Sequence, residues 1–220
     1  MKSTDTSLGR RKFFKSAATL TLGAGLSSLP SFATAAPFLD KSGTLVIGPI
    51  EGYTPYIGTL VSMLNYNRQT IINSVKNLTI AELDYLHDKK ANTIGALVMH
   101  LGATEKFYQA NTFEGRQDLT DEEKKIWGSA GELGDVGRKN IKGKPASYYI
   151  DLITEVRKKT LETLKTKDDA WLLAVDPEWS KEEPLNCFWK WFHVCEHESN
   201  HRGQIAFLKG RLPGAKESKE

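Results

Sequence analysis

Three histidines recur at every fourth position in the segment HVCEHESNHRGQ, residues 193–204. They are His193, His197 and His201, and the whole chain of 220 residues contains only five histidines. In an α-helix, residues four apart lie one above the other on the same face. Neutral imidazole is a common ligand of zinc, nickel, copper and iron, and two rings one turn apart can both reach one ion. The segment therefore predicts a candidate transition-metal site on a helix.

A pair of histidines on one helix needs a further ligand from another helix. His100 is the candidate, because it falls between two apolar faces of a predicted helix and should point inward. Three protein ligands leave coordination positions open for water or substrate, as in catalytic metal sites. Because His193 and His201 would lie ~12 Å apart along the helix axis, they are not expected to bind one ion together. From the residues alone, either could partner His197.

The segment has two other interpretations. One requires no metal, and the other is the metal site of a zinc protease. The histidines could be hydrogen-bonded core residues without a metal. Glu198 follows His197, so HESNH also fits H-E-x-x-H, in which the glutamate is the general base of a zinc protease. The third ligand of such a protease is missing, since no histidine or acidic residue follows until Glu217.

Apolar residues recur at helical spacing in four long stretches, at residues 54–75, 93–112, 147–165 and 185–209. A shorter helix is expected over residues 119–127, because Thr120 and Glu123 form a capping-box pattern. The glycines from Gly128 to Gly143 predict a loop. Four long helices with few strand signals predict an all-α fold, a four-helix bundle.

Several polar residues and both cysteines receive structural interpretations. Arg68 interrupts the apolar stripe of the first helix, and we expect a salt bridge at the edge of the bundle, with an anchor for an anionic substrate group as the alternative. Four charged residues of the third long helix are expected on a solvated face: Glu155, Arg157, Lys158 and Lys159. Cys187 and Cys195 would lie ~12 Å apart on one helix, too far for a disulfide, and are expected to be buried.

The N-terminal segment resembles a bacterial twin-arginine export signal. Arg10-Arg11 precede an aromatic pair, Lys15 and a weakly apolar run, and Ala33-Thr34-Ala35 match the A-x-A pattern of signal peptidase sites. The apolar run is shorter than the ~18 residues that span a membrane, and no cysteine near the cleavage site offers a lipid anchor. The sequence thus predicts a periplasmic or otherwise exported protein without a stable membrane anchor. The expected parts are a signal peptide at 1–35, an extended lead-in at 36–53, the bundle at 54–212 and a tail at 213–220.

The charge balance argues against nucleic acid as a partner. The chain carries a formal charge of +3, and residues 1–35 hold five basic residues against one acidic residue. Removal of that segment leaves a protein with a charge of −1. A nucleic-acid-binding protein would need a basic surface that this composition does not supply.

Two segments resemble the DinB-like (DinB/YfiT-like) superfamily of bacterial four-helix metal-binding proteins. NTIGALVMHLGATEKFY, residues 92–108, is similar to the second-helix pattern, a histidine with a glutamate five residues later, here His100 and Glu105. HESNHRGQIAFLKGRL, residues 197–212, resembles the last-helix signature His-x-x-x-His-Arg-Gly-Gln-Ile. The resemblance covers roughly residues 54–212. It implies metal ligands at three positions: His100, His197 and His201.

The resemblance also implies roles for neighbouring residues. His193 is then expected to line the mouth of the pocket or to pack, and Glu105 to make hydrogen bonds between helices. Gly203 is expected to permit close helix packing, and Gln204 to orient a ligand from behind it.

Characterised members of the superfamily include metal-dependent transferases that use low-molecular-weight thiols such as bacillithiol, and thiol-dependent isomerases. The resemblance therefore implies a divalent metal, zinc or nickel first and iron or manganese next, and a small-molecule substrate. Export separates the protein from cytosolic thiols, so a hydrolase using metal-activated water is also open, as is a non-catalytic metal-binding or stress-related scaffold. No catalytic residue is assigned. Besides the twin-arginine export machinery, a second copy is a potential partner, since dimers are common in the family. Four aromatic residues offer a subunit contact or pack against residues 113–146: Phe188, Trp189, Trp191 and Phe192.

Overall fold

The fold is known from a computed structural model that describes residues 45–179 and 182–215. The predicted export signal lies outside these residues. The described part forms eight helices: α1 Pro55–Val75, α2 Ile80–Leu83, α3 Ile94–Glu114, α4 Asp121–Glu132, α5 Gly134–Asn140, α6 Ala146–Leu164, α7 Asp169–Leu173 and α8 Cys187–Lys209. The four long helices α1, α3, α6 and α8 lie where the periodicity predicts them. The all-α bundle is therefore confirmed.

The ends of the long helices follow from local sequence signals. The side chains of Thr93 and Asn186 accept hydrogen bonds from backbone N–H groups in the first turns of α3 and α8. Thr120 and Glu123 form the predicted capping box at the start of α4. The helix α3 ends at Gly115, whose φ of 66° is the left-handed conformation that glycine adopts without strain.

The loop predicted over residues 128–143 is wrong, since most of this segment is helical. The helix α4 continues to Glu132, and α5 begins two residues later. A glycine costs a helix only about 1 kcal/mol relative to alanine, and the buried side chains of Trp127 and Ala130 pack α4 into the core. At the junction, Leu133 and Gly134 have positive φ, 54° at each, and Gly143 at the end of the segment has a φ of 72°.

The helix α3 is the centre of the bundle. It packs against α4, α6 and α8, as expected of a helix that is apolar on two faces. The helix α1 covers the remaining side by packing against α8 and α6. Among the residues the structure describes, no helix is both long and apolar enough to cross a membrane.

A buried ion quartet lies in the middle of the bundle, and each long helix contributes one member. Its members are Arg68 of α1, Glu105 of α3, Arg157 of α6 and Glu198 of α8, none more than 4% exposed. Glu105 accepts from Arg68 Nη2 at 2.7 Å and from Arg157 Nε at 2.7 Å. Glu198 Oε1 accepts from Arg68 Nε at 2.8 Å and from Arg157 Nη2 at 2.9 Å. The two positive and two negative charges balance.

The quartet separates two apolar clusters of the core. One cluster is formed mainly by α3, α4, α6 and the C-terminal half of α8, with members such as Leu97, Leu101, Trp127, Ile153 and Ile205. The other is formed mainly by α1, α7 and the N-terminal half of α8, with members such as Ile57, Leu64, Leu172, Trp191 and Val194. The ions thus form a polar layer across an otherwise apolar interior.

Two sequence expectations about this layer are wrong and one is confirmed. Arg68 does form salt bridges, but at the centre of the bundle and not at its edge, so it offers no anchor for a substrate. Arg157 is buried and not solvated, because it follows Ile153 by four residues and precedes Thr160 by three on the inward face of α6. Glu105 makes the expected hydrogen bonds between helices.

The charges within the quartet favour the ionised forms of Glu105 and Arg157. Burial opposes ionisation of Glu105, but the positive charges of Arg157 and Arg68 outweigh it, so the pKa of Glu105 is lowered. Burial likewise opposes the charge on Arg157, and the carboxylates of Glu105 and Glu198 raise its pKa. Glu198 Oε2 is buried without a hydrogen-bond partner among the described residues, so this carboxylate is held through Oε1.

Replacement of Arg157 by methionine tests the quartet. The variant leaves the two buried glutamates facing a single arginine, and loss of one partner from a buried ion pair costs about 3–5 kcal/mol. Urea denaturation should show a fall of that size in the free energy of unfolding. Lys158→Met, one residue further on the exposed face, should change it by less than about 0.5 kcal/mol. Equal effects of the two substitutions would contradict the arrangement.

Candidate metal centre

Three histidine side chains converge between α3 and α8. His100 comes from the middle of α3, and His197 and His201 lie one turn apart on α8. His197 Nε2 is 2.9 Å from His100 Nε2 and 3.1 Å from His201 Nε2. The three candidate ligand atoms all lie within 4.8 Å of one another, and no cysteine, aspartate or glutamate of the described residues joins the group. The structure thus brings together the three residues that the family resemblance implied.

Two of the rings are held in a defined tautomer by hydrogen bonds on their far side. His100 Nδ1 is 2.7 Å from the carbonyl oxygen of Ala130, and His201 Nδ1 is 2.8 Å from Gln204 Oε1. The partner atoms, the carbonyl oxygen of Ala130 and Oε1 of Gln204, accept hydrogen bonds and cannot donate them, so each Nδ1 carries the hydrogen. The Nε2 atom of each ring therefore directs a lone pair at the point where the three rings meet.

This donor set fits a divalent transition metal. His197 Nε2 faces the lone pairs of both His100 and His201, and a single hydrogen on it could satisfy only one of them. A cation at the meeting point would satisfy all three nitrogens. Metal–nitrogen bonds of ~2.0–2.1 Å at tetrahedral to octahedral angles separate two ligand nitrogens by ~2.8–3.4 Å. The separations of 2.9 and 3.1 Å lie within that range.

The surroundings keep all three imidazoles neutral. Burial lowers the pKa of His100, although its bond to Ala130 opposes the shift. Burial and the neighbouring His201 and His100 lower the pKa of His197 to about 3. Burial also lowers the pKa of His201, with Gln204 opposing. Neutral imidazole is the form that binds a metal, so the triad is ready for one at neutral pH.

Residues behind the ligands were only partly predictable. Gln204 bonds to His201 as the resemblance implied. Ala130 lies in the segment that the glycine pattern assigned to a loop, and a backbone carbonyl leaves no side-chain signal, so its role was missed. Gly203 does not permit close helix packing as expected, because a Cβ atom there would meet nothing within 4 Å.

His193 lies beside the triad and not in it. Its Nδ1 is 2.9 Å from the hydroxyl of Tyr108, and its ring stacks on Trp189 at a centroid distance of 5.3 Å. Burial raises the pKa of Tyr108 to about 12, so this hydroxyl keeps its hydrogen at neutral pH. Among the described residues, His201 and not His193 joins His100 and His197 in the cluster that could hold a metal.

The protease interpretation of the H-E-x-x-H pattern is wrong. Glu198 points into the ion quartet, where Oε1 accepts from Arg68 and Arg157. A general base must reach the water that it activates, and this carboxylate is on the core side of α8. His87, the fifth histidine, is exposed and packs edge-on against Phe207, away from the triad.

The cysteines and the aromatic residues of α8 lie apart from the triad. Both cysteines are free; Cys195 is buried and Cys187 is partly buried. Burial raises the pKa of Cys195 to about 12, so it stays a thiol at neutral pH. Trp191 is fully buried and stacks on Phe113, at the C-terminal end of α3. Trp189 and Phe192 are substantially exposed.

The pH dependence of the metal-free protein should reveal His197. Its pKa is about 3 in the folded protein against ~6.5 when unfolded, so the unfolded chain takes up the proton first as the pH falls. The stability that neutral His197 contributes is complete above pH ~6.5 and is lost as the pH falls from there towards ~3. Thermal unfolding in chelator should therefore show a steeper loss of Tm between pH 7 and 4 for wild type than for His197→Gln.

The control for that experiment is His87→Gln, which removes an exposed histidine and should follow the wild-type curve. Carboxylates titrate in all three proteins, so the difference between the curves isolates His197. Identical slopes for wild type and His197→Gln would show that the ring is not held neutral by the fold.

A comparison with protein families identifies the family to which the chain belongs. The sequence model of the family described as mycothiol-S-transferase matches residues 59–214, more than half of the chain, and the match includes all three histidines. A comparison with curated proteins finds no match. The predicted DinB-like resemblance is confirmed together with the helical fold and the histidine cluster. The chain belongs to the mycothiol-S-transferase family, a DinB-like family of helical proteins.

Proposed function

We propose that the protein is a divalent-metal-dependent transferase that joins a low-molecular-weight thiol to an electrophilic small molecule. The observation that carries the proposal is the convergence of three Nε2 atoms, those of His100, His197 and His201, without a fourth protein ligand in the described part of the chain. A site with three protein ligands keeps positions open, which a catalytic site needs and a closed structural site lacks.

The residues that could close the shell are occupied elsewhere. His193 Nδ1 is engaged by Tyr108, and Glu198 is held by two arginines. A non-catalytic scaffold would be expected to saturate its metal with such groups. Their placement favours the enzyme over the scaffold.

The chemistry of the site suits a thiol. A divalent metal, when bound, supplies a Lewis-acidic position that lowers the pKa of a thiol. The chain contributes fixed tautomers at His100 and His201, and the buried surroundings keep the rings neutral. Since Cys195 is buried and remains protonated, the reacting sulfur comes from an external thiol. Its S–H proton is lost to solvent, and the sulfur–carbon bond forms as the bond between that carbon and its leaving group breaks, the leaving group departing with the electron pair, as bromide does from monobromobimane.

The donor set and the family indicate which metals and thiols to test first. Three imidazoles suit zinc or nickel first, with iron or manganese as alternatives. Mycothiol is the first thiol to test because the family is described by it. Bacillithiol is the next.

The test combines metal analysis with a transfer assay on the metal-loaded protein, residues 36–220. Monobromobimane serves as the electrophile with mycothiol, bacillithiol or glutathione. We expect one metal per chain, and at least a ~100-fold loss of transfer after chelation or in His197→Ala, because the position that activates the thiol is gone. His87→Ala is the control and should retain the metal. A protein that binds metal but consumes none of the three thiols would be a scaffold; one that binds no metal would have a packed histidine core.

We also propose that the protein is exported by the twin-arginine route. The support is the order of Arg10-Arg11, the apolar run and the A-x-A site in the sequence. Export of a folded protein would let the metal be inserted in the cytoplasm, which matters because copper outcompetes other divalent metals at histidine sites.

Export is tested with the full chain in a bacterial host that has the twin-arginine machinery. The Arg10→Lys, Arg11→Lys double variant should leave the precursor uncleaved in the cytoplasm, because the pair is the recognition element. Cell fractionation and the mass of the N-terminus measure this. Lys2→Gln, a charge change outside the pair, should be exported normally. Export of the double variant at the wild-type level would contradict the proposal.

A further inference from the structure

A groove with a volume of about 530 Å³ lies between α8 and the segment that leads into α3. Its lining includes four polar residues, Lys90, Asn92, Asn200 and Gln204, and two apolar residues, Leu97 and Phe207. Pockets for small ligands are typically ~300–1,000 Å³ and combine apolar walls with a few polar groups. The groove has the size and the character of a small-molecule site.

The groove lies next to the histidine triad. The helices α3 and α8 run in opposite directions, since His100 meets His197 while Tyr108, further along α3, meets His193. Leu97 precedes His100 by three residues and Gln204 follows His201 by three. Each is about one helical turn, ~5 Å, from a metal ligand. A ligand in the groove therefore lies within one turn of the triad.

Gly203 keeps the groove open. It lies inside α8, where glycine is less favourable than alanine. Its φ is not among the positive values that require glycine, and a Cβ atom there would meet nothing within 4 Å. Neither backbone conformation nor helix packing therefore calls for glycine at this position. The absence of a side chain at Gly203 leaves space in the groove.

The polar groups of the groove offer donors and one positive charge. Gln204 uses its Oε1 for His201, and Asn92 uses its Oδ1 for the backbone N–H of Gly134, so both amide NH₂ groups remain to donate. Within the described part of the chain, the side chains of Lys90 and Asn200 make no hydrogen bond or ion pair. No carboxylate lines the groove. This set complements an anion.

The segment that carries Lys90 is fixed before any ligand binds. Asp88 Oδ1 accepts from the backbone N–H groups of Lys90 and Ala91 at 2.7 and 2.8 Å. Arg138 Nη1 donates to the carbonyl oxygens of the same two residues at 3.2 and 3.0 Å. Asp88 makes both of these bonds through Oδ1, and its charge also interacts with that of Lys90. A rim held from both sides lowers the entropy cost of binding.

We infer that this groove binds a small organic monocarboxylate, with the carboxylate at Lys90 and the amide donors and the apolar body against Leu97 and Phe207. One cation matches one negative charge, and amide N–H groups pair well with carboxylate oxygens. A role of this groove in docking the electrophile near the triad rests on the transferase function proposed above. Binding of the monocarboxylate in the groove does not depend on the transferase function.

The test uses 3-phenylpropanoate and its neutral amide, 3-phenylpropanamide, as probes of the chelator-treated protein. Removal of the metal excludes coordination of the carboxylate to it. Isothermal titration should show that the carboxylate binds about fivefold more tightly than the amide, since a partly exposed charge-assisted contact contributes about 1 kcal/mol. Lys90→Gln should reduce this preference to less than about twofold. Gly203→Leu should weaken both probes at least about tenfold by filling the groove.

Matched controls exist for both substitutions. Lys89→Gln removes the neighbouring exposed lysine, which does not line the groove. Gly131→Leu adds the same side chain at an exposed helical glycine of α4 that also has nothing within 4 Å. Both controls should bind the probes as wild type does. Circular dichroism should show that Gly203→Leu retains its helix content.

The outcomes separate this inference from the proposed function. Equal affinities for the two probes, no binding of either, or wild-type binding by Lys90→Gln or Gly203→Leu would overturn the inference even if thiol transfer were observed. Binding with the expected dependence on Lys90 and Gly203 supports the inference even if no thiol is consumed. In that case only the transferase function would fail.

Discussion

The arrangement of the bundle depends on the buried ion quartet of Arg68, Glu105, Arg157 and Glu198. Unpaired charges in an apolar interior are strongly destabilising, so only a packing that brings all four charges together can be stable. Each long helix contributes one charge, and therefore the quartet sets the rotation and the height of every helix relative to the others. Glu198 is next to His197 in α8, and with its carboxylate turned into the core the adjacent histidine is directed about 100° away, towards α3. The buried ion quartet thus also determines the direction in which the adjacent metal ligand points.

The geometry of the triad depends on groups other than its three histidines. The separation of the three Nε2 atoms comes from the packing of α3 on α8, but the direction of the lone pairs comes from Ala130 and Gln204. Ala130 belongs to α4, a helix that contributes no ligand. By holding a carbonyl oxygen against His100, α4 supplies the orientation that a metal site needs from its second layer. A helix outside the four-helix core therefore takes part in the site.

The sequence predicted those features that have a local period or a chemically distinctive side chain. The four long helices followed from apolar spacing, and the histidines could be ranked because few residue types bind a metal. Arg157 was misassigned because its charged neighbours suggested a solvated face, although its four-residue spacing from Ile153 indicated the opposite. The glycines of α4 and α5 predict a loop by propensity alone, because propensity ignores the packing of Trp127. The contribution of Ala130 and the open space at Gly203 depend on distances between helices, which no local pattern records.

The central claim is that three imidazoles hold one metal and leave a position for a thiol sulfur. X-ray absorption spectroscopy on the metal-loaded protein, with and without mycothiol, addresses it most directly. We predict three imidazole ligands with only oxygen donors in the remaining shell, and the replacement of one oxygen by a sulfur scatterer at ~2.3 Å when the thiol is added. A shell already closed by a fourth protein ligand, or one unchanged by the thiol, would contradict the account.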